Sequence, residues 1–589
     1  MNSRKWRYFW LKLGIVAVAL VFLAKLFFVQ IVEHERYVRE ANAMRVKQYE
    51  LLAKRGEVYF MDGKKDVAPA ILNERTWTVF VDPNFIMKNA GSNGVLDNKK
   101  VQEKLVEILG DKIIVKWDDV WANKDNMYVE VAKGVDYETV SKIKDANLRG
   151  VGRKETSRRV YPAGKVGAQL LGFVNAEGVG SGVEGALGER LAGKNGMLKT
   201  VTDVNEIPLS VGDENIEIPA QNGENIVLTI DTNIQRNVDR ILEKTVTSSN
   251  GGIRAASALV MEPTTGKVWA MSNYPTYNPE EYWNEKDPNV YVNRVAETPY
   301  EPASVCKPFT YATAINEGKL NPDATYYNSG STEVDDRTIN NAYGTSSRVG
   351  TITFRKALDY SLNTGSIEVL RYLGGGSITK NARSTLYNYL HDRFGLGQKT
   401  GFELNEATGL IISPEDAEGN AVRYANMTFG QGMNLTMLQV AAGFSSLING
   451  GDYYTPTVIA GTYEDGGLNA VEAKQPVRKT ISAGTSAEMR KMLQEVRSEN
   501  GGANDLPGYR IGVKTGTAET LDQYGNYTSK KTNASALGFG GLNSDDELPK
   551  YVVMVRLDGE TLLWGSQNAV PVFTEISNYL LQYLRMQPK

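Results

Sequence analysis

One uninterrupted apolar run, Leu13 to Ala24 in "LGIVAVALVFLA", constrains this chain more than any other segment. The wider apolar zone extends from Tyr8 to Val32 and is interrupted by the charged residues Lys12 and Lys25. A bilayer crossing needs ~20 mainly apolar residues. The zone meets that length if both lysines reach the interfaces with their ammonium groups in water. Arg4, Lys5, Arg7 and Lys12 precede the run, and that asymmetry directs the amino terminus to the cytoplasm. A cleaved signal would want small residues at its cleavage site, whereas "LVFLAK" presents Phe22 there. The expectation is an uncleaved single-pass anchor at 13–32 behind a cytoplasmic tail at 1–12. Everything after about residue 33 then lies outside the cell membrane. The aromatic flank of Trp6, Tyr8, Phe9 and Trp10 suits a membrane interface better than a buried core helix.

The rest of the composition excludes several chemistries. A net charge of −3 over 589 residues argues against a nucleic-acid binder, which shows a basic surface. The single cysteine, Cys306, rules out an internal disulfide framework and a cysteine-rich metal site. Only two histidines occur, His34 beside the apolar run and His391. A zinc hydrolase or a Ser-His-Asp hydrolase needs a histidine in its site. No nucleophile-elbow pattern accompanies His391, and both histidines read as ordinary surface or core residues. No cofactor and no metal are expected.

The length predicts more than one domain. Residues 33–50 read as a polar helix or an extended stem. In 54–83, β-rich runs flank the Asp62-Gly63 turn signal. The texture changes over about 91–149, where "NKKVQEKLVEILG" has helical apolar spacing, as if a small module were inserted. Residues 150–222 are rich in glycine and turns and read as structural loops, since no strand–GxGxxG–helix context is present. From about 223 strands and helices alternate. "NIVLTIDTNIQRNVDRILEKTV" predicts a strand, a cap at Asp231 or Thr232, and an amphipathic helix. "AASALVMEPTTGKVWAMSNYP" predicts a hairpin around Thr265-Gly266, and the chain closes on a strand, "YVVMVRLDG", and a helix, "VFTEISNYLLQYLR". The division expected is 33–222 and 223–589.

Chemistry concentrates in three short clusters. In "YEPASVCKPFTYATAINEG" Ser304 and Lys307 stand three apart on a predicted helix and share a face. A serine hydroxyl attacks only when its proton is removed, and a lysine can remove it once burial or a nearby cation lowers its pKa. Pro308 falls in the first turn, where backbone donors are unpaired anyway. Cys306, about 200° round the helix from Ser304, faces away and reads as a small core hydrophobe. Further on, "DYSLNTGSIEVL" holds Ser361-Leu362-Asn363, suited to a proton relay and an amide-binding group. "RIGVKTGT" reads as a strand ending in Lys514-Thr515-Gly516. There Lys514 supplies positive charge, Thr515 and Thr517 supply donors for a carboxylate, and Gly516 permits close backbone approach.

Ser-x-x-Lys, Ser-x-Asn and Lys-Thr-Gly, in that order, resemble the signature set of penicillin-binding proteins and class A β-lactamases. The resemblance narrows to the class B penicillin-binding proteins over nearly the whole chain. "KRGEVYFMDG" and "RRVYPAGKVGAQLLGFVNAEGVGSGVEGALGERLAGKNG" resemble that family's pedestal motifs. "VLTIDTNIQ", "NYPTYNPEEY", "NRVAETPYEPAS", "KPFT", "FGQGMNLTMLQVAAGFSSLINGG" and "PKYVVMVRLDG" resemble its transpeptidase domain. Departures include Ala303 for the usual glycine, Val305-Cys306 for Thr-Phe, and Phe60-Met61 for Asp-Arg. None of them falls on Ser304, Lys307, Ser361, Asn363, Lys514, Thr515 or Gly516.

The resemblance implies an α+β multidomain protein. Its transpeptidase domain would be an antiparallel sheet flanked by helices, related to the serine β-lactamases. That domain would sit on an elongated β-rich pedestal behind the transmembrane helix. It implies Ser304 as nucleophile, Lys307 as general base, Ser361 as relay tuned by Lys514, and Asn363 on the substrate amide. Thr515 and Thr517 would hold a terminal carboxylate, with the N–H groups of Ser304 and Thr517 as oxyanion hole and a peptide lying along 509–519. The implied substrates are peptidoglycan stem peptides, cross-linked through an acyl-enzyme, with β-lactams acylating the same serine. The implied partners are a SEDS-class glycosyltransferase and other division or elongation proteins. The bifunctional class A type fits poorly, because 33–222 is short for a glycosyltransferase and lacks its Glu-bearing motifs. A β-lactamase or β-lactam sensor would need a group that activates a deacylating water, and none is identifiable. A non-catalytic scaffold would not need all three clusters intact.

Overall fold

The computed structural model describes residues 3–37, 46–92, 94–175, 177–201, 216–342, 348–499, 502–521, 527–544 and 546–588. They form two compact units, residues 1–56 with 192–224 and residues 57–191 with 225–589. In the first unit, Ser3–Phe27 is an α-helix continued by a π-helical turn at Phe28–Val32. Trp6–Val32 is long and apolar enough to cross a bilayer, its most apolar 18-residue window having a mean hydropathy of 2.7 and no buried residue. Of the expected stem, 38–45 lie outside the described residues, and Val46–Leu51 is a strand rather than helix. It pairs antiparallel with Gly196–Val201, which in turn pairs with Ile216–Ile218.

The second unit is built on two sheets. The first, of seven strands, joins segments far apart in sequence. In order it runs Gly467–Ala470, Ile459–Glu464, Ile226–Asp231, Val58–Asp62, Asp66–Val81 and Val129–Val135, with Val151–Val160 also paired to Asp66–Val81. All six residues of Ile226–Asp231 are buried. A strand covered on both faces need not alternate, and here Ile226, Val227, Leu228 and Ile230 are all buried apolar residues, with Thr229 and Asp231 buried as polar exceptions. Its pairing with Val58–Asp62 is parallel, with Val58 opposite Ile226. Asp231 caps the following helix, Thr232–Thr247, accepting from the N–H groups of Asn233 and Ile234. Its other oxygen accepts from Gly63 N–H at 3.0 Å and the Tyr583 hydroxyl at 2.9 Å.

One strand of this sheet was not visible in the sequence. Val151–Val160, "VGRKETSRRV", lies in the stretch expected to be loop, yet it pairs with Asp66–Val81 along its whole length. Neither of its faces carries a buried residue, so it lacks the apolar alternation by which strands are recognised. Its register rests on cross-strand pairs instead: Arg158 with Glu74, Arg75 with Glu155, and Thr76 with Thr156. Within the expected insert, Asn98–Leu109 is helical, and Val101, Leu105 and Leu109 join Val79, Val131 and Ile143 in a core of their own.

The second sheet carries the chemistry. Five antiparallel strands run in the order Val268–Tyr274, Ile253–Met261, Tyr551–Gly559, Tyr527–Leu542, Arg510–Leu521. The strand at its centre, Tyr551–Gly559, is buried throughout. Its side chains alternate between two cores, as a period of two requires. Val553, Val555 and Leu557 meet Ile241, Phe573 and Leu580 of the helices Thr232–Thr247 and Val570–Tyr583. Val552 and Met554 face Phe309, Leu438 and Leu493 on the other side. The expected hairpin forms between Ile253–Met261 and Val268–Tyr274, with Gly266 at φ 77°. Arg510–Leu521 is the edge strand, and it continues five residues past the point where the sequence suggested an end at Gly516.

Candidate active site

The segment bearing Ser304 enters through an unusual backbone. Ala303 lies at φ 55° and donates its N–H to the Gly430 carbonyl at 3.0 Å. A Cβ on Gly430 would stand 2.1 Å from the Ala303 carbonyl oxygen, so glycine is required for this approach. Ala303–Cys306 is a 3-10 turn, and the α-helix begins only at Lys307. The sequence suggested α-helical geometry from Ser304 onward. With about three residues per turn, residues i and i+3 eclipse, which aligns Ser304 with Lys307 more closely than an α-helix would. Cys306 is fully buried on another face, and burial pushes its thiol pKa up.

Lys307 is completely buried, yet its amine is surrounded by oxygens. Nζ lies 2.5 Å from the Ser361 carbonyl, 2.9 Å from Asn363 Oδ1 and 3.2 Å from Ser361 Oγ. A neutral amine has two N–H groups and one lone pair. The two nearest partners can only accept, so they take both hydrogens. The lone pair is left for a hydroxyl, which can donate. Ser361 presents its carbonyl and hydroxyl together because it lies at φ 54°, in the left-handed region, just after the helix Phe354–Asp359. Leu362, the middle residue of this cluster, is 1% exposed and faces the core.

Lys514 reaches the same hydroxyl from the edge strand, donating to Ser361 Oγ at 2.9 Å and to the Thr515 carbonyl at 3.2 Å. Alternation along the strand sends Ile511 and Val513 into one core and Lys514 and Gly516 to the opposite face, toward the Ser304 turn. Burial lowers the Lys307 pKa well below the ordinary lysine value, and the Lys514 charge lowers it further. Burial lowers Lys514 to about 7, with Asp359 opposing.

The structure therefore brings Lys307, Ser361, Asn363 and Lys514 into one hydrogen-bonded group, with Ser304 one turn from Lys307. Gly516 has a different neighbour from the one its sequence context suggested. A Cβ there would stand 2.5 Å from Ser535 Oγ and 2.8 Å from the Pro302 carbonyl, so glycine is required by packing against the Ser304 turn itself. Thr515 and Thr517 are half-buried on the strand's other face. Thr517 Oγ1 accepts from Gly565 N–H at 3.1 Å and keeps its own hydrogen to donate. His391 stands apart, stacked on Tyr387 and 2.8 Å from Asp392. Among the described residues no cluster of three His, Cys, Asp or Glu side chains could hold a metal ion. Gly430 was not singled out from the sequence, although the repeated glycine of "FGQG" was a signal of close approach.

Residues 256–578 match the family profile described as the penicillin binding protein transpeptidase domain, and residues 50–228 match the penicillin-binding protein dimerisation domain. The chain belongs to the class B penicillin-binding proteins. Stage V sporulation protein D of Bacillus subtilis (strain 168) is 29% identical over 602 aligned residues, covering 100% of this chain and 87% of the relative. Peptidoglycan D,D-transpeptidase FtsI of Escherichia coli (strain K12) is 25% identical over 602, covering 100% and 93%. The solved structure of penicillin binding protein 3 from Mycobacterium tuberculosis, complexed with aztreonam, shares the fold with a TM-score of 0.66 at 21% identity. That match covers 92% of this chain and 98% of the other. This penicillin-binding protein is thus a D,D-transpeptidase of peptidoglycan synthesis with the expected α+β architecture.

Proposed function

We propose that this penicillin-binding protein is a membrane-anchored serine transpeptidase that cross-links stem peptides through an acyl-enzyme at Ser304. The observation that carries the reading is the buried Lys307 amine, one turn from Ser304, with its two nearest partners able only to accept. Lys307 takes the Ser304 proton as Oγ attacks the carbonyl before the terminal D-alanine. The developing oxyanion is held by the N–H groups of Ser304 and Thr517, donors whose loss typically costs ~10²–10³ in rate. Ser361, poised between Lys307 and Lys514, passes a proton to the leaving amine as the peptide bond breaks and D-alanine departs. An amine from a neighbouring stem then attacks the ester, forms the cross-link and frees Ser304.

Asn363 binds the substrate amide, while Thr515 and Thr517, on the face of the edge strand opposite Lys514, take the terminal carboxylate across the strand's edge rather than from the Ser304 side. The open edge of Arg510–Leu521 supports a peptide added there as a further strand. The amino-terminal helix anchors the protein with its short basic tail in the cytoplasm, and residues 33–222 serve as the non-catalytic pedestal domain, with the transpeptidase domain at 223–589. A SEDS-class glycosyltransferase and other cell-wall proteins are the proposed partners, and division the proposed setting. Fluorescent penicillin should form a covalent adduct that maps to Ser304, be absent from Ser304→Ala, and persist for long times. An adduct elsewhere would overturn the assignment, and rapid release of the label would indicate a β-lactamase instead.

A further inference from the structure

We infer that Asn341 is a positioning residue for the transpeptidase site, fixing the direction in which the Asn363 carboxamide faces. The inference rests on the reading of Asn363 as the amide-binding group. A carboxamide offers two N–H donors on one side and an oxygen on the other. Asn363 Oδ1 meets Lys307 Nζ at 2.9 Å, while Nδ2 donates to the Asn340 carbonyl at 2.9 Å. The carbonyl can only accept, so a flipped amide would set oxygen against oxygen. In the observed orientation one N–H is held by Asn340, and the second is left for a substrate carbonyl.

The aim of Asn363 therefore depends on what holds the Asn340 carbonyl in place. Asn340 ends the strand Arg337–Asn340, which among the described residues pairs only with Ser331–Val334. A two-stranded ribbon of this size is marginal by itself. The next residue ties it down. Asn341 is 3% exposed, and its N–H donates to the Gly330 carbonyl at 3.0 Å. Its Oδ1 accepts from Thr364 N–H at 3.1 Å, and its Nδ2 donates to Asn328 Oδ1 at 3.1 Å. Asn328, fully buried, also accepts from the Thr364 hydroxyl at 3.0 Å and donates to the Arg348 carbonyl at 2.7 Å.

Thr364 N–H is one of the unpaired donors at the start of the helix Asn363–Leu373. Leu362, at the capping position, has no side chain that could accept from it. Asn341 supplies that cap from a distant segment. The same contact locks the 340–341 peptide onto the first turn of the helix that begins with Asn363.

The test is the rate of acylation by fluorescent penicillin in the full-length protein, with thermal melting measured alongside. Asn341→Ala should slow acylation about tenfold or more, since misplacing a reacting group by an ångström can cost ~10². Asn341→Asp keeps an acceptor for Thr364 N–H but faces Asn328 Oδ1 with oxygen. It should fold and still be slowed. The deciding readout is a double-mutant cycle, because a residue acting through Asn363 adds nothing once Asn363 is gone. Asn341→Ala or Asn341→Asp combined with Asn363→Ala should be no slower than Asn363→Ala alone. Unchanged acylation in both single variants, or additive losses in the double variants, would overturn the inference while leaving the site intact. A wild type not labelled at Ser304 would overturn the underlying reading of the site, and the inference with it.

Discussion

Gly516→Ala is the sharpest test of how the edge strand supports the Ser304 turn. The new methyl would stand 2.8 Å from the Pro302 carbonyl oxygen, 2.5 Å from Ser535 Oγ and 3.2 Å from Val305 Cγ1. Ser535 is a side chain and can rotate. The Pro302 carbonyl is backbone, two residues before Ser304, and it is the obstacle that matters. Reaching an ordinary van der Waals contact needs a displacement of about half an ångström. Overpacking of this kind costs about 1–3 kcal/mol. The functional loss should be larger than that stability loss suggests, because displacement of the turn carries Ser304 away from Lys307 and from Thr517 N–H. Misplacement by an ångström can cost ~10², so a displacement of half that predicts a loss of order tenfold in acylation. The assay is the second-order rate of labelling by fluorescent penicillin, with a melting curve to show that the protein remains folded. Gly516→Ala/Ser535→Ala removes the softer obstacle and should remain slow. Wild-type labelling by Gly516→Ala, or full recovery in the double variant, would refute the argument that the Pro302 backbone sets the limit.

Other outcomes follow from the same geometry. In the proposed mechanism acylation needs Lys307 neutral and Lys514 charged, so its rate should rise with pH through the Lys307 titration and fall again as pH passes about 7, where Lys514 loses its proton. Lys514→Arg keeps the charge to much higher pH, so the falling limb measured by labelling should disappear even if the peak rate is lower. Cys306→Ala should cost about 1 kcal/mol in a denaturant melt and leave labelling of Ser304 nearly unchanged, because the thiol is buried away from the site. Deleting residues 1–32 should release the protein from the membrane fraction with penicillin binding retained, and protease added to spheroplasts should digest the remainder of the intact chain. Full protection in that experiment would reverse the proposed topology.

Much of this site was legible because its parts are short and chemically distinctive. A lysine three residues from a serine, with almost no histidine in the chain, leaves few other ways to activate a hydroxyl. Strong local signals also carried through, as with the Asp231 cap and the Thr265-Gly266 hairpin. What could not be read depends on partners distant in sequence. Val151–Val160 is held by charge pairs across strands, which leave no apolar period. The 3-10 turn at Ser304 is imposed by the Gly430 loop, over a hundred residues away. Nothing local in the sequence distinguishes Asn328 and Asn341, since asparagine is common in turns, and only the fold reveals them buried against Thr364.

The parallel pairing of Val58–Asp62 with Ile226–Asp231 sets a timetable for the chain as it is made. Glu57, just before the first strand, bonds to Asn225, 168 residues later. At ~5–20 residues per second, the earlier strand waits roughly ten to thirty seconds for its neighbour to be synthesised. Throughout that interval one edge of a buried strand is unsatisfied and available to other chains. The hairpin Val58–Asp62/Asp66–Val81 can form at once and shelters the other edge. A fragment that starts at residue 223 would meet the complementary problem permanently, because Ile226–Asp231 would keep the partner Ile459–Glu464 and lose Val58–Asp62. Secretion or truncation experiments on this protein should therefore treat 57–231 as one folding commitment, and aggregation of shorter products as its direct signature.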